Sequence, residues 1–379
     1  MINRLILCAC LSACPGALLH AAVTAVPGPP QIDAKAYLLV DFDSGRVLAE
    51  HNIDEATAPA SITKIMTSYV VYQELAKDSF TLETLVPVSK KAWRMKGSRM
   101  FIEVGDKVSV ADLLRGVVIQ SGNDASVALA EHVAGSEESF VEIMNSHAQR
   151  LGMAGTVYRN STGWPDEGHF TTARDIATLS RALIEEFPEQ YATYAEKEFT
   201  FNGIVQYNRN KLLWRDSSVD GVKTGHTEEA GYCLVSSAKR DDMRLIAVVL
   251  GAGSEDARAA ASRKLLGYGF RFFETYKLYS ADQSLGEIRV WKGAVGTLPM
   301  GLREDLFVTI PRGQYKKLDA ALQVGEGTTA PTSKYQSLGK VRVTLDDQLL
   351  EERPLLALRE IARGNLWQQA RDTVLQFFQ

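Results

Sequence analysis

Cysteine is scarce in this chain, and most of it is clustered. There are four cysteines in 379 residues, and Cys8, Cys10 and Cys14 all fall near the start. Only Cys233 lies in the remainder, so no intramolecular bridge can staple the bulk of the chain. That excludes a disulfide-dense miniprotein. Charge of one sign is also lacking. Lys and Arg total 42 against 46 Asp and Glu, for a formal net charge of −4. A nucleic-acid binder needs a marked basic excess, so that class is excluded. Twelve prolines and 29 glycines are too few for a collagen-like or low-complexity chain. No internal repeat appears at solenoid periods. His51, His132, His147 and His169 have no metal-type spacing and read as surface or core histidines. No apolar run reaches the roughly 20 residues that a membrane-spanning helix requires.

What is present is a globular composition, 45% hydrophobic and 23% charged. At roughly 100–200 residues per domain the length suggests two or three domains, each able to bury a core. The N-terminus carries one arginine and the apolar run Leu5 to Leu19, followed by Ala21-Ala22. This reads as a secretory signal peptide over residues 1–22. Leu11-Ser12-Ala13-Cys14 offers a competing reading, a lipoprotein-type site with an acylated Cys14. Either reading exports the protein. Val26-Pro-Gly-Pro-Pro30 is an extended spacer, because adjacent prolines fix φ.

Ala36–Asp41 and Arg46–Glu50 read as a hairpin around Asp43-Ser44-Gly45. Helical patterns follow from about Ser61 to Leu75, then near 110–115, 124–134, 137–151 and 173–186. Tyr232–Ala238 and Arg244–Gly251 read as strands, and residues 256–278 as helix. The expected class is α/β, with a mainly antiparallel sheet and flanking helices over 31–278. Alternating patterns at Ile288–Trp291, Leu306–Ile310 and Lys340–Leu345 suggest a small β-rich domain over 279–357. Residues 358–379 read as an amphipathic helix with Leu366, Ala370, Val374 and Phe377 on one stripe. It could lie in a membrane interface or pack on its own domain.

Three short motifs carry chemistry. In Ser61-Ile-Thr-Lys64, a helix starting at Ser61 would put the hydroxyl and the amine on one face. A helix N-terminus would favour an alkoxide, and a neutral lysine could take its proton. Ser121-Gly-Asn123 sits between two helical patterns, where a loop can aim a hydroxyl and an amide into a cleft. Lys223-Thr224-Gly225 precedes the Tyr232 strand and can present an ammonium and a hydroxyl to a carboxylate. Its glycine permits close backbone approach. Each motif alone is equally an N-cap or a turn.

In this order the three form the motif set of penicillin-binding proteins and serine β-lactamases. The chain resembles that superfamily, and within it the low-molecular-mass D-alanyl-D-alanine carboxypeptidases. Asn208-Arg209-Asn210 and Thr172-Ala-Arg-Asp175 agree with this. The resemblance implies a β-lactamase/transpeptidase-like domain with a helical subdomain, a β-domain and a membrane-anchoring helix. It implies removal of the terminal D-alanine from peptidoglycan pentapeptides, reaction with β-lactams, and no metal or cofactor. Ser61 would be the nucleophile, Lys64 its base and Ser121 a proton relay. Asn123 would hold the acyl chain, and Lys223 and Thr224, helped by Arg209, would bind the carboxylate beside Gly225. The N–H groups of Ser61 and His226 would form the oxyanion hole. Lys223 is expected to depress the Lys64 pKa by like-charge repulsion. It implies a location at the periplasmic face of the inner membrane. Alternatives are a transpeptidase or endopeptidase, a class A β-lactamase, or a non-catalytic envelope scaffold. The lactamase needs a Glu-x-x-Leu-Asn segment, and Asp166-Glu167 lacks that setting.

Overall fold

A computed structural model describes residues 26–377. The expected signal peptide and the Cys14 site lie outside the described residues. A five-stranded sheet organises the first part. Its order is Val47–His51, Ala36–Asp41, Met243–Ala252, Gly231–Arg240, Val219–Thr227, and every neighbouring pair is antiparallel. The central strand is nearly all apolar because both its faces are covered. Side chains alternate across a strand. Ile246, Val248 and Leu250 enter one core with Ile65 and Tyr69, while Leu245, Ala247 and Val249 enter another with Leu265 and Leu266. The helix Lys64–Ala76 belongs to the first core, and Glu255–Phe272 to the second.

Further helices span Asn123–Ala134, Glu137–Arg150 and Ala173–Glu186. Side-chain oxygens fix several starts: Ser136 accepts from Ser139 N, Thr172 from Asp175 N, and Ser254 from Ala257 N. Two sequence expectations need correction here. The helix expected from Ser61 does not begin there; Ala60–Thr63 forms a 3₁₀ turn and the α-helix starts at Lys64. The 256–278 segment is helix only to Phe272. Phe273–Tyr279 is a strand paired with Leu306–Pro311. Its aromatic and threonine content favours a half-buried sheet surface over a continued helix.

A six-stranded sheet dominates the last part, with Ser337–Leu345 and Gln348–Ala357 as its longest pair. Ile288, Val290, Val341, Val343 and Leu355 form its separate core. The terminal helix is shorter than expected, Leu366–Phe377. Residues 358–365 instead run along the sheet, with bridges Thr332↔Ile361 and Gly293↔Arg363. Its apolar stripe does not pack inward. Leu366 and Trp367 are 84% and 86% exposed, whereas Asp372 is 1% exposed and accepts from Lys292 N at 2.7 Å. No described helix is long and apolar enough to cross a membrane.

Candidate active site

The site lies where the edge strand Val219–Thr227 meets the Ser61 turn. Its free edge lines a cleft of about 750 Å³ whose walls include Ser61, Ser121, Asn123, Thr224, Gly225 and His226. Strand and turn touch closely. A Cβ on Gly225 would sit 3.2 Å from Ala60 Cβ and Ile62 N. The glycine therefore admits the Ser61 turn.

Lys64 is the buried centre. Its Nζ is 3.1 Å from Ser61 Oγ, 2.7 Å from Asn123 Oδ1 and 2.6 Å from the Thr162 carbonyl. The side chain is 1% exposed. Burial disfavours the ammonium and lowers the Lys64 pKa to about 7. Asp124 opposes this and Arg209 assists it. This corrects the expectation that Lys223 is responsible: desolvation leads, and the like charge acting on Lys64 is Arg209. The Lys–Lys repulsion falls on Lys223, whose pKa is lowered well below the usual lysine range, first by burial and then by Lys64. A neutral lysine amine has two N–H donors and one lone pair. Two carbonyl acceptors, on Asn123 and Thr162, take the donors, and the lone pair is left for the Ser61 hydroxyl.

Ser121 ends a π-helical turn, Gly116–Gln120, and adopts a left-handed conformation at φ 65°, ψ 35°. Such turns and positive-φ residues concentrate at functional sites. The strain aims Ser121 Oγ at Lys223 Nζ, 2.9 Å away. Asn123 opens the next helix and donates from Nδ2 to the Lys96 carbonyl at 2.6 Å, which fixes its amide orientation. Asp124 accepts from Met100 N and Phe101 N, both at 3.0 Å, and holds the 98–102 segment against the cleft.

Arg209 is held by its neighbours. The buried Asn208 donates to the Glu196 carbonyl at 3.0 Å, and the buried Asn210 donates to the Gly221 carbonyl at 2.9 Å. Between these anchors Arg209 is exposed and forms part of the cleft wall. His226 stacks on Tyr232, with ring centroids 4.0 Å apart. All nine candidate site residues thus converge on one cleft or the layer beneath it.

Three contributors were missed in the sequence. Arg258, 5% exposed, donates to the Gly225 carbonyl at 3.0 Å and lies over the Tyr232 ring. Its setting in Glu255-Asp-Ala-Arg258 reads as a solvated first helical turn. Thr162 contributes a backbone carbonyl, which leaves no side-chain signal. Gly163, at φ +79°, passes so close to the Ser61 turn that a Cβ there would lie 1.7 Å from Ala60 O. Thr-Gly-Trp-Pro signals a turn but not its neighbour. Asp166 and Glu167 line a separate hollow, and no carboxylate among the described residues is hydrogen-bonded to Ser61 Oγ.

A serine beside a buried lysine of lowered pKa, a second serine bonded to a second lysine, and an open edge strand define the penicillin-reactive class of serine hydrolases. Residues 23–254 match the family described as D-alanyl-D-alanine carboxypeptidase. Residues 273–363 match the C-terminal domain of penicillin-binding protein 5. The chain is 48% identical over 357 residues to D-alanyl-D-alanine carboxypeptidase DacC of Escherichia coli (strain K12), covering 92% of this chain and 89% of that one. Penicillin binding protein 5 from Haemophilus influenzae superposes with a TM-score of 0.86 at 41% identity, over 89% of this chain and 100% of that one. Penicillin-Binding Protein D2 from Listeria monocytogenes, solved in an ampicillin-bound form, gives 0.60 at 29% identity over 64% of this chain and 100% of that one. The chain belongs to the D-alanyl-D-alanine carboxypeptidase family and is a serine-type carboxypeptidase of the penicillin-binding proteins.

Proposed function

We propose that the enzyme removes the terminal D-alanine from peptidoglycan pentapeptide stems through an acyl-enzyme on Ser61. Ser61 Oγ attacks the carbonyl between the two D-alanines while its proton passes to Lys64. The C–N bond breaks as Ser121 gives its proton to the departing D-alanine nitrogen and takes up the proton held on Lys64 in its place, which leaves Lys64 neutral again. Water, deprotonated by Lys64, then cleaves the ester and restores Ser61. The N–H groups of Ser61 and His226 hold the oxyanion. Lys223, Thr224 and Arg209 hold the terminal carboxylate, and Asn123 holds the acyl chain. A bound carboxylate restores the ammonium of Lys223, which reinforces the neutral state of Lys64.

The observation that carries this reading is the Lys64 amine, with two carbonyl acceptors and Ser61 Oγ at 3.1 Å. The test is release of D-alanine from a soluble pentapeptide. No release, with normal penicillin acylation, would leave a transpeptidase or endopeptidase. At a pH above the Lys64 acid limb, Arg209→Gln is expected to raise KM roughly tenfold with kcat near native, since a rim cation contributes mainly uniform binding. An equal loss in kcat alone would move Arg209 into the chemical step.

The division into a catalytic part over 31–278 and a β-rich part over 279–357 belongs to this proposal. So does attachment to the periplasmic face of the inner membrane by the terminal helix. Leu366, Trp367, Val374 and Leu375 face outward while Asp372 docks inward, which supports an interfacial helix. The mature chain is expected to co-sediment with anionic vesicles, and deletion of 366–379 to leave it in the supernatant with carboxypeptidase activity unchanged. Equal sedimentation of the deletion would remove the helix from this role.

A further inference from the structure

The helix Glu137–Arg150 opens on two carboxylates with different surroundings. Glu138 has its side chain 77% exposed and pairs with Lys91 at 2.9 Å on the surface. Such a first-turn acid answers the helix dipole from solvent. The Glu137 side chain is only 11% exposed and turns inward. Its Oε1 accepts from Ser161 N at 3.0 Å and from Ser161 Oγ at 2.7 Å. Its Oε2 meets Lys91 Nζ at 3.0 Å.

Ser161 is fully buried and is gripped from a second side. Its carbonyl accepts at 2.6 Å from Thr67 Oγ1, three residues along the helix from Lys64. Asn160 Oδ1 gathers the N–H groups of Thr162, Gly163 and Trp164, which makes 160–164 a compact turn. Glu137 and Thr67 tie that turn to two helices. The carbonyl that follows the clamp, on Thr162, is the one Lys64 Nζ meets at 2.6 Å. A glutamine oxygen could also accept from Ser161, so the clamp alone does not require a charge. A buried carboxylate costs solvation unless its charge is used. Here it acts on Lys64, where Asp124 and Glu137 favour the ammonium and Arg209 opposes it.

We propose that Glu137 is a positioning residue for Lys64. Through Ser161 it aims the Thr162 carbonyl at the amine, and through its charge it steadies the ammonium that forms when Lys64 takes the Ser61 proton. The proposal rests on the base role given to Lys64 above. Besides Glu137, the charged groups facing Lys64 are Asp124 at the start of the next helix, Arg209 on the cleft wall and Lys223 on the edge strand. His169 lies across Thr63, and burial lowers its pKa to about 4, so it is neutral near pH 7.

The experiment follows acylation by a saturating chromogenic penicillin across the Lys64 acid limb, near pH 7. Glu137→Gln keeps an oxygen for Ser161 and removes the charge. Losing a negative charge disfavours the ammonium, so the neutral amine persists to lower pH. The plateau rate should stay near native. The acid limb should move down by roughly half a pH unit, less than the one to three units of a charge in direct contact. Glu137→Ala also removes the clamp. Its plateau should fall roughly tenfold at unchanged penicillin affinity, because a loosened carbonyl lets the amine drift from Ser61. Ser161→Ala, added to Glu137→Ala, should cost little further, since both act through one contact. A merely structural carboxylate would change Tm and leave the acid limb in place. An acid limb that stays or rises in Glu137→Gln, or a native plateau in Glu137→Ala, would overturn the proposal. If Glu137→Ala does not fold, the Glu137→Gln profile decides alone. Native acylation with an unchanged acid limb in Lys64→Ala would instead overturn the base role, and the proposal with it.

Discussion

Lys64→Ala is expected to slow acylation of Ser61 about 10²- to 10⁴-fold, the range for loss of a positioned general base. The argument is geometric first. Lys64 Nζ is 3.1 Å from Ser61 Oγ, and no other titratable side chain among the described residues is hydrogen-bonded to that hydroxyl. It is electrostatic second. Burial lowers the Lys64 pKa to about 7. Above that pH the lone pair is available. Below it the ammonium cannot accept the serine proton, so native kcat/KM should fall tenfold per pH unit on the acid side. Asp124 and Glu137 raise this pKa and Arg209 lowers it, so Arg209→Gln should also move the acid limb upward. Stopped-flow acylation by a chromogenic penicillin measures both effects. The alanine variant should lack the acid limb near pH 7. A rapid acyl-enzyme burst in that variant would remove Lys64 from the base role.

Gly163→Ala is expected to disable the site without touching any group that reacts. The added Cβ would lie 1.7 Å from Ala60 O, and Gly163 sits at φ +79°, where an L side chain is strained. Ala60 has little room to retreat, because it is itself at φ +47° and 1% exposed. It directly precedes Ser61, so any displacement passes to that residue. A shift near 1 Å costs about 10²-fold in rate. Thr162, whose carbonyl bonds Lys64, moves with the same segment. We expect a stability loss of about 3–5 kcal/mol from the clash and the backbone strain together. At 2–4 °C per kcal/mol, Tm should fall roughly 10 °C. Calorimetry and penicillin acylation on one preparation check this. Native Tm with native acylation would show that the turn has more freedom than its packing implies.

Much of this site was legible because its chemistry resides in side chains carried by short local patterns. Ser61 and Lys64 are neighbours through helical spacing, and Lys223 to His226 lie on a strand with a clear apolar partner at Tyr232–Ala238. The central strand was legible because it reads apolar throughout, as a strand covered on both faces does. What escaped depends on backbone and on distant packing. The Thr162 carbonyl and the Gly163 approach leave no trace in residue type. The π-turn before Ser121 looks like any apolar run. Arg258 looks like a surface residue until the Gly225 carbonyl arrives from another element. The Phe273–Tyr279 strand follows the helix without a break, so local pattern carried the helix too far. The source of the Lys64 shift was misassigned because a sequence shows charges but not burial. For the terminal helix the pattern supplied an apolar stripe, and only Asp372 against Lys292 N shows which way it faces.

The central claim is that Ser61 forms the acyl-enzyme and Lys64 enables it. Intact mass spectrometry after brief penicillin treatment tests it directly. The native chain should gain one penicilloyl mass, localised by peptide mapping to Ser61, and the adduct should persist for minutes or longer. Ser61→Ala should gain nothing. An adduct on the Ser61→Ala chain, or none on the native chain, would contradict the account.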